Sequence, residues 1–514
     1  MQQDSRDSHL SLLIIIVLTA LVYYVARLPA LKLPLAYYDD GETLYHTMVI
    51  LKGYIPYRDD FNHHFAGYLL PFLLTAKITG YSLNLIYQTA FWMQLLYALA
   101  IYGTARFYST RSTSAIITLL AVTAREPWIL GYYVQQELNT LYALILYFSV
   151  RFLNEQNNRS LYISAVLSGL AFCFDQRAVF YSLILLSAYY LKRPKSLSVI
   201  IKSVACWLSA PLAGLYYLVR NHILRLFLEQ TIVFPFKYRS ASAGILETLK
   251  SFIAANYYLI TLTPLLLFLA LVGLLGLTRL ISKEKRPDYQ LLLASLLPPL
   301  LMTLWGARDY DYYSVVWFPS MALLALFIPW AFPGLIRKNS WILNMILVLP
   351  LIFTFLNVIV ALRDPSLKNY SGDGINQVVS YLRETVQPED SLLLWGYRLE
   401  ILARLEKINA YPFANQIMIH PDEQISKKER RIQHVYPKYE RIFLSLLAKA
   451  PPDYVLVFNR GTNMAKYSRA NNALIQLLSE RYQQIYSLSK PDFTGKRCYY
   501  TLYVKSVSKT SSVN

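Results

Sequence analysis

Three apolar runs, Leu10–Tyr24, Tyr257–Leu277 and Trp341–Leu362, constrain this chain more than any other feature. A helix needs about 20 such residues to cross the hydrocarbon core of a bilayer. Inside that core every backbone N–H and C=O must be satisfied within the protein, which favours helices. Composition agrees: 16% of the 514 residues are charged, where a soluble chain carries about a quarter. Hydropathy along the chain predicts about eleven spans. They lie near 10–29, 83–105, 112–130, 138–153, 160–174, 178–191, 196–219, 253–280, 289–306, 313–332 and 340–362. The first run follows a segment with one basic residue and no small-residue cleavage site, so it reads as a retained span.

Beyond 363 the pattern changes. Leu392–Trp395, Tyr454–Val457 and Tyr499–Val504 read as strands, and Gln377–Thr385 and Ala473–Tyr482 as amphipathic helices. The expected architecture is a polytopic α-helical membrane module, residues 1–362, followed by a soluble α/β domain, residues 363–514. No glycine-rich phosphate loop follows the strands.

The net charge of +19 does not call for nucleic acid. Basic residues of a membrane protein collect in cytoplasmic loops that face anionic lipid. The basic connections are Arg106/Arg111, Arg151/Arg159, Lys192-Arg193-Pro194-Lys195, Lys283-Glu284-Lys285-Arg286 and Arg337-Lys338. They alternate with connections that are acidic or poor in charge. This places the N-terminus in the cytoplasm and the loops 30–82 and 220–252, with the C-terminal domain, outside. The assignment requires residues 66–80 to lie at the membrane surface or re-enter it, because a true span there would invert every later loop. Cys173, Cys206 and Cys498 have no spacing that suggests a disulfide framework or a zinc site.

The first external loop concentrates chemistry. It carries Asp39, Asp40, Glu42, Asp59, Asp60, His63 and His64. Burial at a low-dielectric boundary raises a carboxylate pKa, which suits a general base. Asp39 and Asp40 also precede a helical pattern from Glu42 to Lys52 that Gly53 would end, so capping is an equally physical reading. Asp59 and Asp60 fit a solvated turn beside Pro56 or a functional role. His63 and His64 fit phosphate contact or exposure better than a metal site.

The stretch Asp39-Asp40-Gly41-Glu42-Thr43-Leu44-Tyr45, followed by Gly53-Tyr54-Ile55-Pro56-Tyr57-Arg58-Asp59, resembles the GT-C superfamily of polytopic glycosyltransferases. It is similar to the branch near the protein O-mannosyltransferases and the lipid A aminoarabinose transferases, which carry Asp-Glu-Gly-x-x-x-Tyr and Gly-x-x-Pro-Tyr-x-Asp. Asp40 stands where that branch has glutamate. The sequence His63-His64-Phe65-Ala66-Gly67 stands where it has a His/Lys-x-Pro-Pro stretch. Looser matches are Gln135-Gln136-Glu137, Asp175-Gln176-Arg177 and Asp311-Tyr312-Tyr313.

The resemblance implies a polyprenyl-phosphate sugar donor, a lipid or glycan acceptor, and inversion at the anomeric carbon on the external face of what is expected to be a bacterial inner membrane. It implies Asp39 as the first candidate base and Asp40 as the second, with Glu137 orienting the acceptor or the base. Arg58, Asp59, His63, His64, Arg177 and Arg308 are the candidates for donor phosphate or sugar. No metal or other cofactor is expected. For Arg177 and Arg308, anchoring at lipid headgroups is the plain alternative. Tyrosines at span ends fit an interfacial belt as well as sugar stacking.

Two other classes compete. A transporter or lipid flippase would place ionisable residues within broken spans near the midplane, whereas here they concentrate outside the spans. A non-catalytic glycan-binding scaffold would use the C-terminal domain.

Overall fold

The computed structural model describes residues 13–25, 38–125, 134–192, 196–235, 245–306, 311–332, 340–363, 372–414, 416, 419, 437–460, 469–492 and 495–506. Helix α1 (Leu13–Val25) is followed by α2 (Tyr38–Leu51), α3 (Leu70–Thr79) and α4 (Leu85–Ala105). The bundle continues through α5 (Arg111–Arg125), α6 (Val134–Glu155), α7 (Asn158–Phe174), α8 (Ser182–Lys192) and α9 (Leu197–Arg220). Among the described residues, four helices are long and apolar enough to cross a membrane: α4, α9, Pro264–Glu284 and the run Tyr313–Ala331. The chain is an integral membrane protein.

Two expected spans divide, and a third keeps its length with mixed turns. The segment 253–280 is not one span. It divides into α10 (Ile245–Leu262) and α11 (Pro264–Glu284), because Thr263 leaves the helical region (φ −133°, ψ 46°) ahead of Pro264. The segment 289–306 divides into Pro287–Ala294 and Leu297–Gly306. The segment 313–332 stays one helical run, Tyr313–Ala331, in which 3₁₀ and α turns alternate. Prolines follow the breaks in the first two segments, at Pro264 and Pro298, and hydropathy alone does not register them. The last span is a single helix, α12 (Ser340–Arg363).

Small residues bring helices close. A Cβ on Gly273 or Gly276 of α11 would lie 1.9 Å from the carbonyl oxygen of Leu324 or Phe327. Without a hydrophobic drive between helices in lipid, such close backbone approach supplies much of the packing. The connections at 106–111, 151–159 and 283–286 meet at one end of the bundle. There Arg286 reaches Asn154 at 3.4 Å and Asp288 at 2.7 Å, and Tyr108 packs on Tyr289.

Residues 66–79 form a 3₁₀ turn and α3, 14 residues in all. At about 1.5 Å per residue they reach about 21 Å, short of the roughly 30 Å core.

At the other end of the bundle lies the C-terminal unit. It contains α13 (Ile375–Thr385), β1 (Leu392–Trp395), α14 (Glu400–Leu405), α15 (Pro437–Lys449), β2 (Tyr454–Arg460), α16 (Arg469–Arg481), β3 (Tyr482–Pro491) and β4 (Arg497–Lys505). The sheet order is β1-β2-β4-β3, with β1 and β2 parallel and the other pairs antiparallel. Strand β3 escapes the sequence reading because it is an edge strand, mostly exposed, and without a buried face to announce it.

Side chains alternate across a strand, and each face of this sheet has its own partners. Leu392, Leu394, Leu456, Phe458, Tyr500 and Leu502 join an apolar cluster with Leu44, Tyr45, Met48 and Val49 of α2 and Phe72 of α3. Leu393, Trp395 and Val455 join Phe443, Leu474, Phe61 and Phe234. The unit is therefore continuous with α2 and α3 rather than tethered to them.

Candidate active site

Helix α2 sets the site. Asp39 and Asp40 occupy its first turn, where carboxylates meet the positive end of the helix dipole. Gly53 (φ +86°) follows its end in the left-handed region. Asp39, Glu42 and His46 fall at i, i+3 and i+7, on one helix face.

His46 is buried between two carboxylates. Its Nδ1 bonds Asp60 Oδ2, and its Nε2 lies 3.2 Å from Glu42 Oε1. Burial works against an imidazolium there, but Asp60 and Glu42 outweigh it and raise the His46 pKa to about 10. Burial equally works against the Glu42 carboxylate, but the His46 hydrogen bond and charge hold it well below the usual carboxylate range. Asp39 has no such cation. Burial, then the charge of Glu42, push its pKa up to about 7, with a hydrogen bond from Tyr397 opposing. One helix face thus carries one firmly ionised carboxylate and one poised near neutrality. This divergence between neighbouring acids is a common mark of acid–base sites.

Tyr397 comes from the turn between β1 and α14. Its hydroxyl donates to Glu42 Oε2 and lies 3.5 Å from Asp39 Oδ1. Burial and both carboxylates raise its pKa well above 10, so it stays a donor.

Cationic and imidazole groups approach from the loop and from α7. The His63 and His64 rings are tilted by 42°, with centroids 3.9 Å apart. The loop is held by Tyr57, whose hydroxyl donates to the His64 carbonyl at 3.0 Å, and by Asn62 Oδ1, which accepts from the His64 N–H at 2.8 Å. Gln230 clamps it further through Tyr57 O at 2.8 Å and Asn62 N at 3.2 Å. Burial lowers the His64 pKa, while Glu42 and Asp175 act to raise it. Arg177 forks onto Asp175, with Nε to Oδ1 at 2.9 Å and Nη2 to Oδ2 at 2.5 Å, and lies over the Tyr313 ring at 4.7 Å. Glu137 is fully buried at the first turn of α6 and lies close enough to Tyr68 to act on its charge.

Glu42, His63 and His64 each bring one ligand atom within 4.8 Å of the others. A borderline divalent ion such as zinc takes this type of donor. Both Glu42 oxygens already accept a hydrogen bond, from His46 and Tyr397, so an ion would share an oxygen with one of them.

The structure gathers Asp39, His63, His64, Arg177 and Glu137 around one region. Asp40 is buried in the same helical turn. Arg58 and Asp59 do something else: they pair with each other on the surface at 2.7 and 2.8 Å, and Asp59 accepts from the Ile55 N–H at 2.8 Å. Their geometry is that of a turn lock. Arg308 lies outside the described residues. The sequence reading missed Glu42, His46, Asp60, Asp175 and Tyr397 as site residues. The i, i+3, i+7 spacing was a usable signal for the first two. Nothing local marks Tyr397, which reaches the site across more than 350 positions.

No protein-family model and no curated protein matches the chain. Among solved structures it is similar to ArnT from Cupriavidus metallidurans bound to undecaprenyl phosphate, with TM-score 0.60, 11% identity, 95% of this chain and 97% of that chain covered. It is similar to the apo state of the same ArnT, with TM-score 0.58 and the same identity and coverage. It is also similar to the apo oligosaccharyltransferase of Archaeoglobus fulgidus, with TM-score 0.50, 12% identity, 97% of this chain and 75% of that one. At such low identity the likeness is one of architecture, and it runs through nearly the whole chain: this protein shares the fold of ArnT.

Proposed function

We propose that this protein is an inverting membrane glycosyltransferase that moves a sugar from a polyprenyl-phosphate donor to an acceptor hydroxyl. The observation that carries the reading is the placement of Asp39: a half-buried carboxylate in the first turn of α2, beside Glu42 and the Tyr397 hydroxyl, on a surface where His63, His64 and Arg177 also converge. The resemblance of the loop motif and the similarity to an ArnT bound to undecaprenyl phosphate supply the donor class.

In this reading Asp39 takes the proton of the acceptor hydroxyl as the oxygen attacks the anomeric carbon. The bond from that carbon to the phosphate oxygen breaks, and polyprenyl phosphate leaves as an anion. Arg177, oriented by its fork on Asp175, can bring its positive charge to phosphate oxygens. His64 and His63 add hydrogen-bond donors. Asp40 is the second candidate base, and Glu137 a candidate for orienting the acceptor. The segments 1–362 and 363–514 are the membrane module and its external domain. The site faces the periplasmic side of a bacterial inner membrane, opposite the basic connections.

The test is transfer or donor hydrolysis by purified protein, comparing wild type with Asp39→Asn and Asp40→Asn after thermal melts show both variants folded. Loss of a general base costs about 10²–10⁴ in rate. A loss of that size in one variant identifies the base. Full activity in both moves the role to Glu137. An inert wild type across a broad panel of polyprenyl-phosphate sugars overturns the reading in favour of a transporter or lipid flippase.

A further inference from the structure

We propose that Tyr397 of the C-terminal unit is a positioning residue of this site, its hydroxyl bridging Asp39 and Glu42 so that the unit sets which carboxylate accepts a proton. The inference rests on the proposed transferase reading for its chemistry, though not for its geometry.

The turn that presents Tyr397 is tightly constrained. Gly396 has φ +116°, and a Cβ there would lie 2.3 Å from the carbonyl oxygen of Phe458. The Gly396 N–H donates to Gln416 Oε1 at 2.8 Å. The next side chain, Arg398, turns inward to a buried pair with Asp373. With the flanking residues fixed in the unit, Tyr397 projects onto α2.

The same interface has hydrogen bonds of another type. Asn409 N–H donates to the Tyr45 hydroxyl at 3.0 Å, Lys52 Nζ to Glu406 O at 2.6 Å, and Phe61 N–H to Pro412 O at 2.8 Å. Each of these involves a backbone group of the C-terminal unit. Tyr397 instead contacts two carboxylates of α2. It favours the ionised form of Asp39, against burial and the charge of Glu42. The other charged or titratable groups around the pair are His46 on α2, Asp60, His63, His64 and Tyr68 on the loop and its 3₁₀ turn, Glu137 on α6, and Asp175 with Arg177 after α7. Removing only the Tyr397 hydroxyl leaves all of these in place.

The test uses Tyr397→Phe in the full chain, with Tyr45→Phe as an interface control. Tyr397→Phe should lower kcat about tenfold or more at pH 7, with donor KM nearly unchanged and the acid limb of the pH–rate profile moved to higher pH. Its rate should approach wild type in alkaline buffer. Tyr45→Phe removes a hydroxyl from the same interface without touching a carboxylate, so it should lower the melting temperature and leave the acid limb in place. Infrared titration of the Asp39 carboxyl, identified by its loss in Asp39→Asn, reads the same effect without any substrate. The band should persist to higher pH in Tyr397→Phe than in wild type. An unmoved band, or a rate loss equal at every pH, overturns the proposal. A moved band in a protein that transfers no sugar upholds Tyr397 as the positioning residue and sinks the transferase reading alone.

Discussion

Gly41 and Glu400 meet with no room between them: a Cβ on Gly41 would lie 2.7 Å from both the Cβ and the backbone nitrogen of Glu400. Gly41 follows the two aspartates of the loop motif, and Glu400 opens α14. The glycine lets the C-terminal unit settle on α2 closely enough for Tyr397 to reach Glu42. Glu400 is itself held by Arg404 at 2.5–2.8 Å, so the obstruction is not a free side chain. Gly41→Ala should therefore cost stability in the range of an overpacked core, about 1–3 kcal/mol. It should show as a lower melting temperature in detergent and as greater protease sensitivity of residues beyond 363. A wild-type melt would show that α2 and α14 part without cost.

The His46 triad predicts a pH dependence of stability with a definite sign. The His46 pKa is raised above its free value of 6.5 to about 10, so its contribution is complete below about pH 6.5 and is lost as pH rises through about 10. Glu42 is shifted the other way, below 4.5, so its contribution is present above about pH 4.5 and fades as pH falls further. Melting temperatures of wild type should thus decline from neutral toward alkaline pH. His46→Gln should flatten that decline and cost about 3–5 kcal/mol at pH 6, since it leaves buried carboxylates without their cation. Parallel melting curves for the two proteins from pH 6 to 10 would contradict the charged triad.

Arg177 and Arg58 separate a site cation from a surface one. Arg177 is mostly buried, forked on Asp175 and placed where its charge acts on His64. Arg58 is half exposed and held by its neighbour Asp59. Arg177→Lys keeps the charge and loses the fork. If it grips donor phosphate, the change should raise donor KM by about tenfold or more. Arg58→Ala should leave transfer within about twofold of wild type, because an exposed pair contributes about 0–1 kcal/mol. Equal effects from the two substitutions would move the phosphate site away from Arg177.

What the sequence made legible follows from the range of each signal. Leu85–Ala105 and Leu197–Arg220 are readable because a span is a local run of apolar residues. Leu392–Trp395 and Tyr454–Val457 are readable because a buried strand is a short one. The break at Thr263 is harder, since Pro264 sits in a run that stays apolar on both sides. Asp39 and Arg58 both enter through the loop motif, but the motif does not show that Arg58 pairs with Asp59 at the surface while Asp39 lies against Tyr397: two residues on one loop can face different ways. Glu42 and His46 were within reach of helical spacing once α2 was recognised. Tyr397 was not, because the fold alone brings β1 against α2.

The split between Asp39 and Glu42 gives the last prediction. If Asp39 is the base, it must be ionised to act, and its pKa is raised to about 7. The transfer rate should then fall below about pH 7, by about tenfold per unit once the group is mostly protonated. Glu42 is one cause of that raised value. Glu42→Gln removes the charge while keeping the shape of the side chain, so the Asp39 pKa should drop and the acid limb should move to lower pH. This is the opposite direction to Tyr397→Phe. Asp40→Asn should leave the limb near its wild-type position if Asp40 only serves the helix dipole. The measurement is kcat/KM from pH 5 to 9 for the four proteins, with melts at each pH to exclude unfolding. A limb that stays at one pH in both Glu42→Gln and Tyr397→Phe would mean that a group other than Asp39 controls the rate. A limb displaced only in Asp40→Asn would transfer the base to Asp40.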